Sequence, residues 1–145
     1  MITRRILLLS VSTLAMTGGL AAAPVAVSLH KSPECGCCDL YADYLRERGF
    51  TVTSHSTREV AEISRKAGVP AELQGCHTAF VGGYVVEGHV PVEAIQKLLA
   101  ERPAIKGITL AGMPVGSPGM PGPKAEPFVI HAFGEDGKSS VYMSL

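Results

Sequence analysis

The sequence predicts an α/β protein, a layered sandwich of order β-α-β-α-β-β-α followed by a Gly/Pro/Met loop and an added β-hairpin. Three observations lead there. Short β-branched runs alternate with segments whose apolar residues recur at helical spacing. Gly82-Gly83 separates two apolar stretches in the manner of a two-residue hairpin turn. Hydrophobic residues make up 46% of the 145 and charged residues only 18%, which excludes a disordered chain and suits one compact core.

Residues 1–23 stand outside that fold. Arg4 and Arg5 precede an apolar stretch from Ile6 through Met16, and Ala21-Ala22-Ala23 supplies small residues for cleavage, the pattern of an export signal. The stretch is short and interrupted by Ser10, Ser12, Thr13 and Gly18-Gly19, which argues against a membrane anchor. Thr3-Arg4-Arg5-Ile6-Leu7 resembles a twin-arginine signal, so the general secretory and twin-arginine routes both stay open. Residues 24–145 then form a single exported domain in an oxidising compartment, the periplasm in a bacterial-type cell.

In the mature chain Val25 to Leu29 reads as a buried strand. Ser32-Pro33-Glu34 reads as a helix opening, with a capping residue, a proline at the first position and an acid near the positive end. Leu40, Tyr41, Tyr44 and Leu45 form one apolar stripe, and Gly49 stops the helix. Phe50 and Val52 alternate with threonines in a second strand. Ser56-Thr57-Arg58-Glu59 has the spacing of a capping box ahead of Val60, Ile63 and Ala67. Thr78–Val81 and Tyr84–Glu87 form the hairpin, and Val92, Ile95, Leu98 and Leu99 mark the inner face of the last helix. That order describes a thioredoxin-like sandwich. From Pro103 to Pro127 periodicity disappears and the composition is that of a linker. Phe128–Phe133 and Ser139–Met143 close the chain as a hairpin, so the loop between is held at both ends.

Charge narrows the function. Lys+Arg and Asp+Glu are 13 each, and loss of the first 23 residues removes Arg4 and Arg5, leaving 11 basic against 13 acidic residues. A nucleic-acid binder would carry a basic excess. The unusual residues are four Cys, five His and five Met. Cys35-Gly36-Cys37-Cys38 sits where the first strand enters the first helix, the strand end at which sites gather and where unpaired N–H groups favour thiolates. Cys76 precedes the strand that faces this opening. Topology therefore predicts four sulfurs converging with His77. His89, after the hairpin, approaches the same end, and His30 lies just ahead of the cluster. His55 and His131 read as a solvated strand end and a hairpin face.

Such a cluster fits three chemistries: structural disulfides, a dithiol oxidoreductase using Cys35 and Cys38, and soft-metal binding. Thiolates alone suit zinc. Met113 and Met120, each flanked by Gly or Pro rather than placed in a helical core, add thioethers that favour Cu(I). Met143 alternates within a strand and reads as core. No carboxylate pair, Ser/His/Asp set or phosphate-binding glycine loop offers a rival hydrolytic chemistry, and any catalytic turnover stays open.

Three segments carry a family resemblance: Lys31-Ser-Pro-Glu-Cys-Gly-Cys-Cys38, Cys76-His-Thr-Ala-Phe-Val-Gly-Gly-Tyr-Val-Val-Glu-Gly-His-Val-Pro91, and Gly112-Met-Pro-Val-Gly-Ser-Pro-Gly-Met120. In this order they resemble the CopG-like periplasmic copper-handling family, much of it labelled only as a domain of unknown function. The resemblance spans essentially the whole mature chain. It implies a thioredoxin-like fold, export, and copper bound through cysteine-rich motifs in a resistance role. Separately, a thiolate has lone pairs enough to bridge two soft cations, which gives one pocket room for more than one ion, and other periplasmic copper-handling proteins are the candidate partners. Carried over by motif, the metal-binding positions are Cys35, Cys37, Cys38, Cys76, His77, His89, Met113 and Met120.

Overall fold

A computed structural model describes residues 23–145, so the expected export signal, Ala23 excepted, lies outside the described residues. Seven strands form one sheet in the order β2-β1-β3-β4-β5-β6-β7. The chain runs β1 (Ala26–Lys31), α1 (Gly36–Glu47), β2 (Thr51–Ser56), α2 (Val60–Lys66), a 3-10 turn at Ala71–Leu73, β3 (His77–Val81), β4 (Tyr84–Gly88) and α3 (Val92–Glu101). Three further strands follow: β5 (Gly107–Leu110), β6 (Val129–Phe133) and β7 (Ser139–Ser144). β1 runs parallel to β2 and antiparallel to β3, and β4 parallel to β5. The α/β class, the order of the first seven elements and the terminal hairpin agree with the sequence reading.

Period-two alternation divides the core between the two faces of the sheet. Leu29, Ala79, Val86 and Ile108 pack with Tyr41, Leu45, Ile95 and Leu98 of α1 and α3. Val85 and Phe133 meet Ala67, Val69 and Leu73 beside α2. Met143 packs against the larger cluster from β7, as read from its alternation.

Four local expectations fail. Helix α1 begins at Gly36, not after Ser32: the Cys35 N–H bonds the Ser32 carbonyl in a turn, and the Ser32 hydroxyl donates to Glu34 instead of accepting from the helix. The capping box at Ser56–Glu59 does not form. Glu59 itself is the cap residue of α2, and the Thr57 hydroxyl accepts from its N–H. Leu40 is 58% exposed, because the buried face of α1 runs through Cys38, Tyr41, Ala42 and Leu45. Within the stretch read as a linker, β5 is a central strand, buried at every residue between β4 and β6. Four residues buried on both faces show no alternation, so the pattern that marks a strand is missing.

Candidate metal centre

The late start of α1 sets the site. Cys35 is the N-cap residue, and Cys37 and Cys38 fall in the first turn, next to backbone N–H groups that lack partners within the helix. Lys31, only 4% exposed, donates to the Ser32 carbonyl and to Asp39, tying the end of β1 to that first turn across the cysteine motif.

Cys76 stands immediately before β3, and the antiparallel pairing of Lys31 with His77 brings it to the same end of the sheet. The Sγ atoms of Cys35, Cys37, Cys38 and Cys76 all lie within 4.8 Å of one another. Cys35 and Cys38 are joined by a disulfide, and Cys37 and Cys76 are free thiols. Each free thiol touches one end of that bond: Cys37 Sγ is 3.5 Å from Cys35 Sγ, and Cys76 Sγ is 3.5 Å from Cys38 Sγ.

Two imidazoles complete the cluster. Cys76 Sγ is 3.2 Å from His89 Nε2 and 3.4 Å from His77 Nδ1. The Pro118 carbonyl accepts from His89 Nδ1 at 2.6 Å, which leaves the Nε2 lone pair facing Cys76. Tyr41 forms the floor beneath both rings, with centroids 4.6 Å from His77 and 5.4 Å from His89, and its hydroxyl donates to the Val90 carbonyl. Burial pulls His77 down to about 3, helped by neighbouring His89, so the ring is neutral. Burial also lowers His89, against the bond to Pro118. The Cys76 thiol is pushed up to about 12, first by burial and then by Cys37. A cation at this position reverses that last effect, since it stabilises the thiolate directly.

The segment before Cys76 is held from below. Glu87, fully buried on β4, accepts from the Gly75 N–H at 2.7 Å and the Ser64 hydroxyl at 3.0 Å. Burial holds its carboxyl above the usual range, against the lowering effect of these donors. A Cβ on Gly75 would stand 3.0 Å from the Gly88 Cα, so residues 74–76 cross the end of β4 closely enough that a side chain would crowd its backbone.

The Gly/Pro/Met loop reaches the cluster through its backbone. At Gly119, φ is +81 and a Cβ would lie 2.8 Å from both the Cys37 carbonyl oxygen and the Tyr41 nitrogen, so this residue rests directly on α1. Gly119→Ala should therefore lift the loop and withdraw Pro118 from His89. We expect a stability loss of about 1–3 kcal/mol and metal affinity about tenfold weaker, measured by thermal unfolding and metal titration.

The methionines sit differently. Met113 is 39% exposed, and Met120 lines a hollow on the flank of α1 with Leu40, Asp43, Tyr44 and Glu47. His30 joins neither metal-competent group: its ring stacks on His55 at 4.7 Å and meets Phe80 edge-on. His131 borders a separate hollow beside Pro114 and Val129. The residues that sequence reasoning overlooked are Lys31, Tyr41, Glu87 and Pro118. An acid inside the otherwise apolar run of β4 was the one visible signal for Glu87.

Comparison with solved structures places this geometry. Two forms of a protein titled copper resistance protein CopG match with a TM-score of 0.78 and 36% sequence identity, covering 84% of this chain and 98% of theirs. The chain belongs to the CopG family. Residues 73–120, from the approach to Cys76 through Met120, also match the family model described as protein of unknown function, DUF411. No curated protein sequence matches. Within this CopG-family chain, Cys35, Cys37, Cys38 and Cys76 form one group able to hold a metal ion, and Cys76, His77 and His89 form another. Among the described residues no helix is long and apolar enough to cross a membrane.

Proposed function

We propose that this protein takes up copper as Cu(I) in the periplasm and serves copper resistance. The observation that carries the reading is the convergence of four sulfurs within 4.8 Å, in a chain that shares 36% identity with a copper resistance protein. Thiolates are soft donors matched to Cu(I). The spacing is right for shared ligation, since two sulfurs on one tetrahedral ion at about 2.3 Å stand about 3.8 Å apart. With Cys35 and Cys38 reduced, a thiolate has lone pairs enough to bridge two soft cations, so the pocket accommodates more than one ion. His77 and His89 add imidazole nitrogens, and Met113 and Met120 supply thioethers from the loop.

In this reading the export signal is removed and a single thioredoxin-like domain works free of the membrane. It holds copper, passes it to other periplasmic copper-handling proteins, or cycles it between Cu(I) and Cu(II). Anaerobic titration of the reduced protein with Cu(I) against a competing chelator tests uptake. Tight binding that survives a zinc challenge is the expected result; binding of zinc alone, unaffected by copper, would replace this reading with a structural zinc site. A second reading, a thiol-disulfide oxidoreductase, draws on the closed Cys35–Cys38 bond. It requires insulin reduction that Cys35→Ser abolishes.

A further inference from the structure

The donors at this mouth are not one equivalent set. With Cys35 and Cys38 bonded to each other, neither offers a thiolate, yet one group remains whole: Cys76, His77 and His89, with donor atoms within 4.8 Å of one another. An ion that holds sulfur at about 2.3 Å and imidazole nitrogen at about 2.0 Å in tetrahedral geometry sets S···N at about 3.5 Å. The observed separations are 3.2 and 3.4 Å, so the trio closes on an ion with little movement. Its rings are already oriented. Pro118 fixes the His89 tautomer, Tyr41 backs both rings, and His77 turns its Nδ1 towards Cys76.

We propose that the disulfide form carries a separate one-ion site made of the Cys76 thiolate and the His77 and His89 imidazoles, and that it takes Cu(II). One thiolate with two imidazoles is the donor set of cupric thiolate centres, whereas a multi-thiolate set selects Cu(I). The inference rests on the copper reading above and adds that the Cys35–Cys38 bond decides which copper is held. Binding Cu(II) releases the Cys76 proton to solvent and moves no electrons. Conversion to the Cu(I)-binding form begins with release of Cu(II) as Cys76 regains its proton. The S–S bond is then broken with two electrons and two protons from a dithiol reductant, which itself closes to a disulfide. Cu(I) is taken up from solution, so the bound copper never changes oxidation state.

The experiment uses the full mature chain with the disulfide intact, verified by a count of two free thiols, in anaerobic buffer. Co(II), which does not oxidise thiols, is added first and Cu(II) second. One equivalent of Co(II) is expected to give sulfur-to-metal charge-transfer absorption, and Cu(II) to replace it with an intense visible thiolate-to-copper band. Alkylation of Cys76, followed by peptide mass analysis, should slow about tenfold or more in the loaded protein. His89→Gln should remove the visible band, and the alkylation readout on the unsubstituted protein does not depend on how that variant folds. Unchanged Cys76 alkylation, absence of a thiolate band, or reduction of Cu(II) with formation of a Cys37–Cys76 disulfide would each overturn the proposal. The reduced protein is titrated with Cu(I) in parallel. If Cu(I) binds there and the oxidised protein gives neither signal, the separate site is wrong and copper uptake stands. If the oxidised protein gives both signals and the reduced one binds no Cu(I), the site stands and the Cu(I) reading falls.

Discussion

Cys38→Ser is expected to weaken Cu(I) binding by the reduced protein more than about 100-fold, since changes to residues that merely support a ligand already cost about 10–100-fold. Cys38 is the deepest of the four sulfurs, fully buried against the base of the cluster. Its Sγ lies 3.5 Å from Cys76 Sγ and 3.6 Å from the Cys76 carbonyl oxygen, so it links α1 to the start of β3. A serine oxygen is a hard donor, poorly matched to Cu(I), and its hydroxyl proton is not lost at neutral pH as a coordinating thiol's is. The fold should survive. The new hydroxyl inherits the Cys76 carbonyl as an acceptor, and a satisfied buried hydroxyl in place of a thiol shifts stability by only about 1 kcal/mol. Chelator competition on the reduced variant reads the affinity, and thermal unfolding of the metal-free protein checks the fold. Affinity within a few-fold of the unsubstituted protein would remove Cys38 from the ligand set. The variant also lacks the Cys35–Cys38 bond, so Cys35 should gain reactivity towards alkylating reagents.

How much of this was legible in the sequence depended on whether a residue's role is periodic. The strands and helices that pack one face to the core show it in their spacing, and their order alone carries Cys76 across the sheet to the other cysteines. The start of α1 was misread because Ser32 and Pro33 have the chemistry of a helix opening, yet a turn from Ser32 to Cys35 captured the first N–H. That displacement brings Cys37 and Cys38 a turn nearer to the unpaired N–H groups at which the motif was already expected. β5 was hidden for the opposite reason. Gly-Ile-Thr-Leu is wholly buried, and the role of its glycine is to let the Val85 carbonyl approach within 2.2 Å of where a Cβ would stand. Neither feature is periodic. The contribution of the loop was legible only in outline: its methionines drew attention, while the group that fixes His89 is the Pro118 backbone carbonyl, which every residue type possesses.

Glu87→Ala should both destabilise the protein and loosen the copper site, although Glu87 touches no sulfur. Its Oε1 is the acceptor for the half-buried Gly75 N–H and the fully buried Ser64 hydroxyl. Removing the carboxylate strands two donors and opens a void beneath the 74–76 segment. Each unsatisfied buried donor costs about 1–3 kcal/mol. Relief from burying the acid offsets part of that, because its Oε2 has no partner in the native protein. The net expectation is a loss of about 2–4 kcal/mol. The site responds because Gly75 immediately precedes Cys76, and the bond from Glu87 sets where the Cys76 thiol meets Cys38 and His89. Copper affinity should fall about 10–100-fold, as for other residues that orient a ligand. Glu87→Gln separates the two causes. Its amide oxygen can still accept from Gly75 and Ser64, so affinity should stay close to that of the unsubstituted protein while stability falls by less than in the alanine variant. If both variants bind copper equally well but differ in melting temperature, Glu87 supports the fold alone and the position of Cys76 is set by the crossing of Gly75 over Gly88.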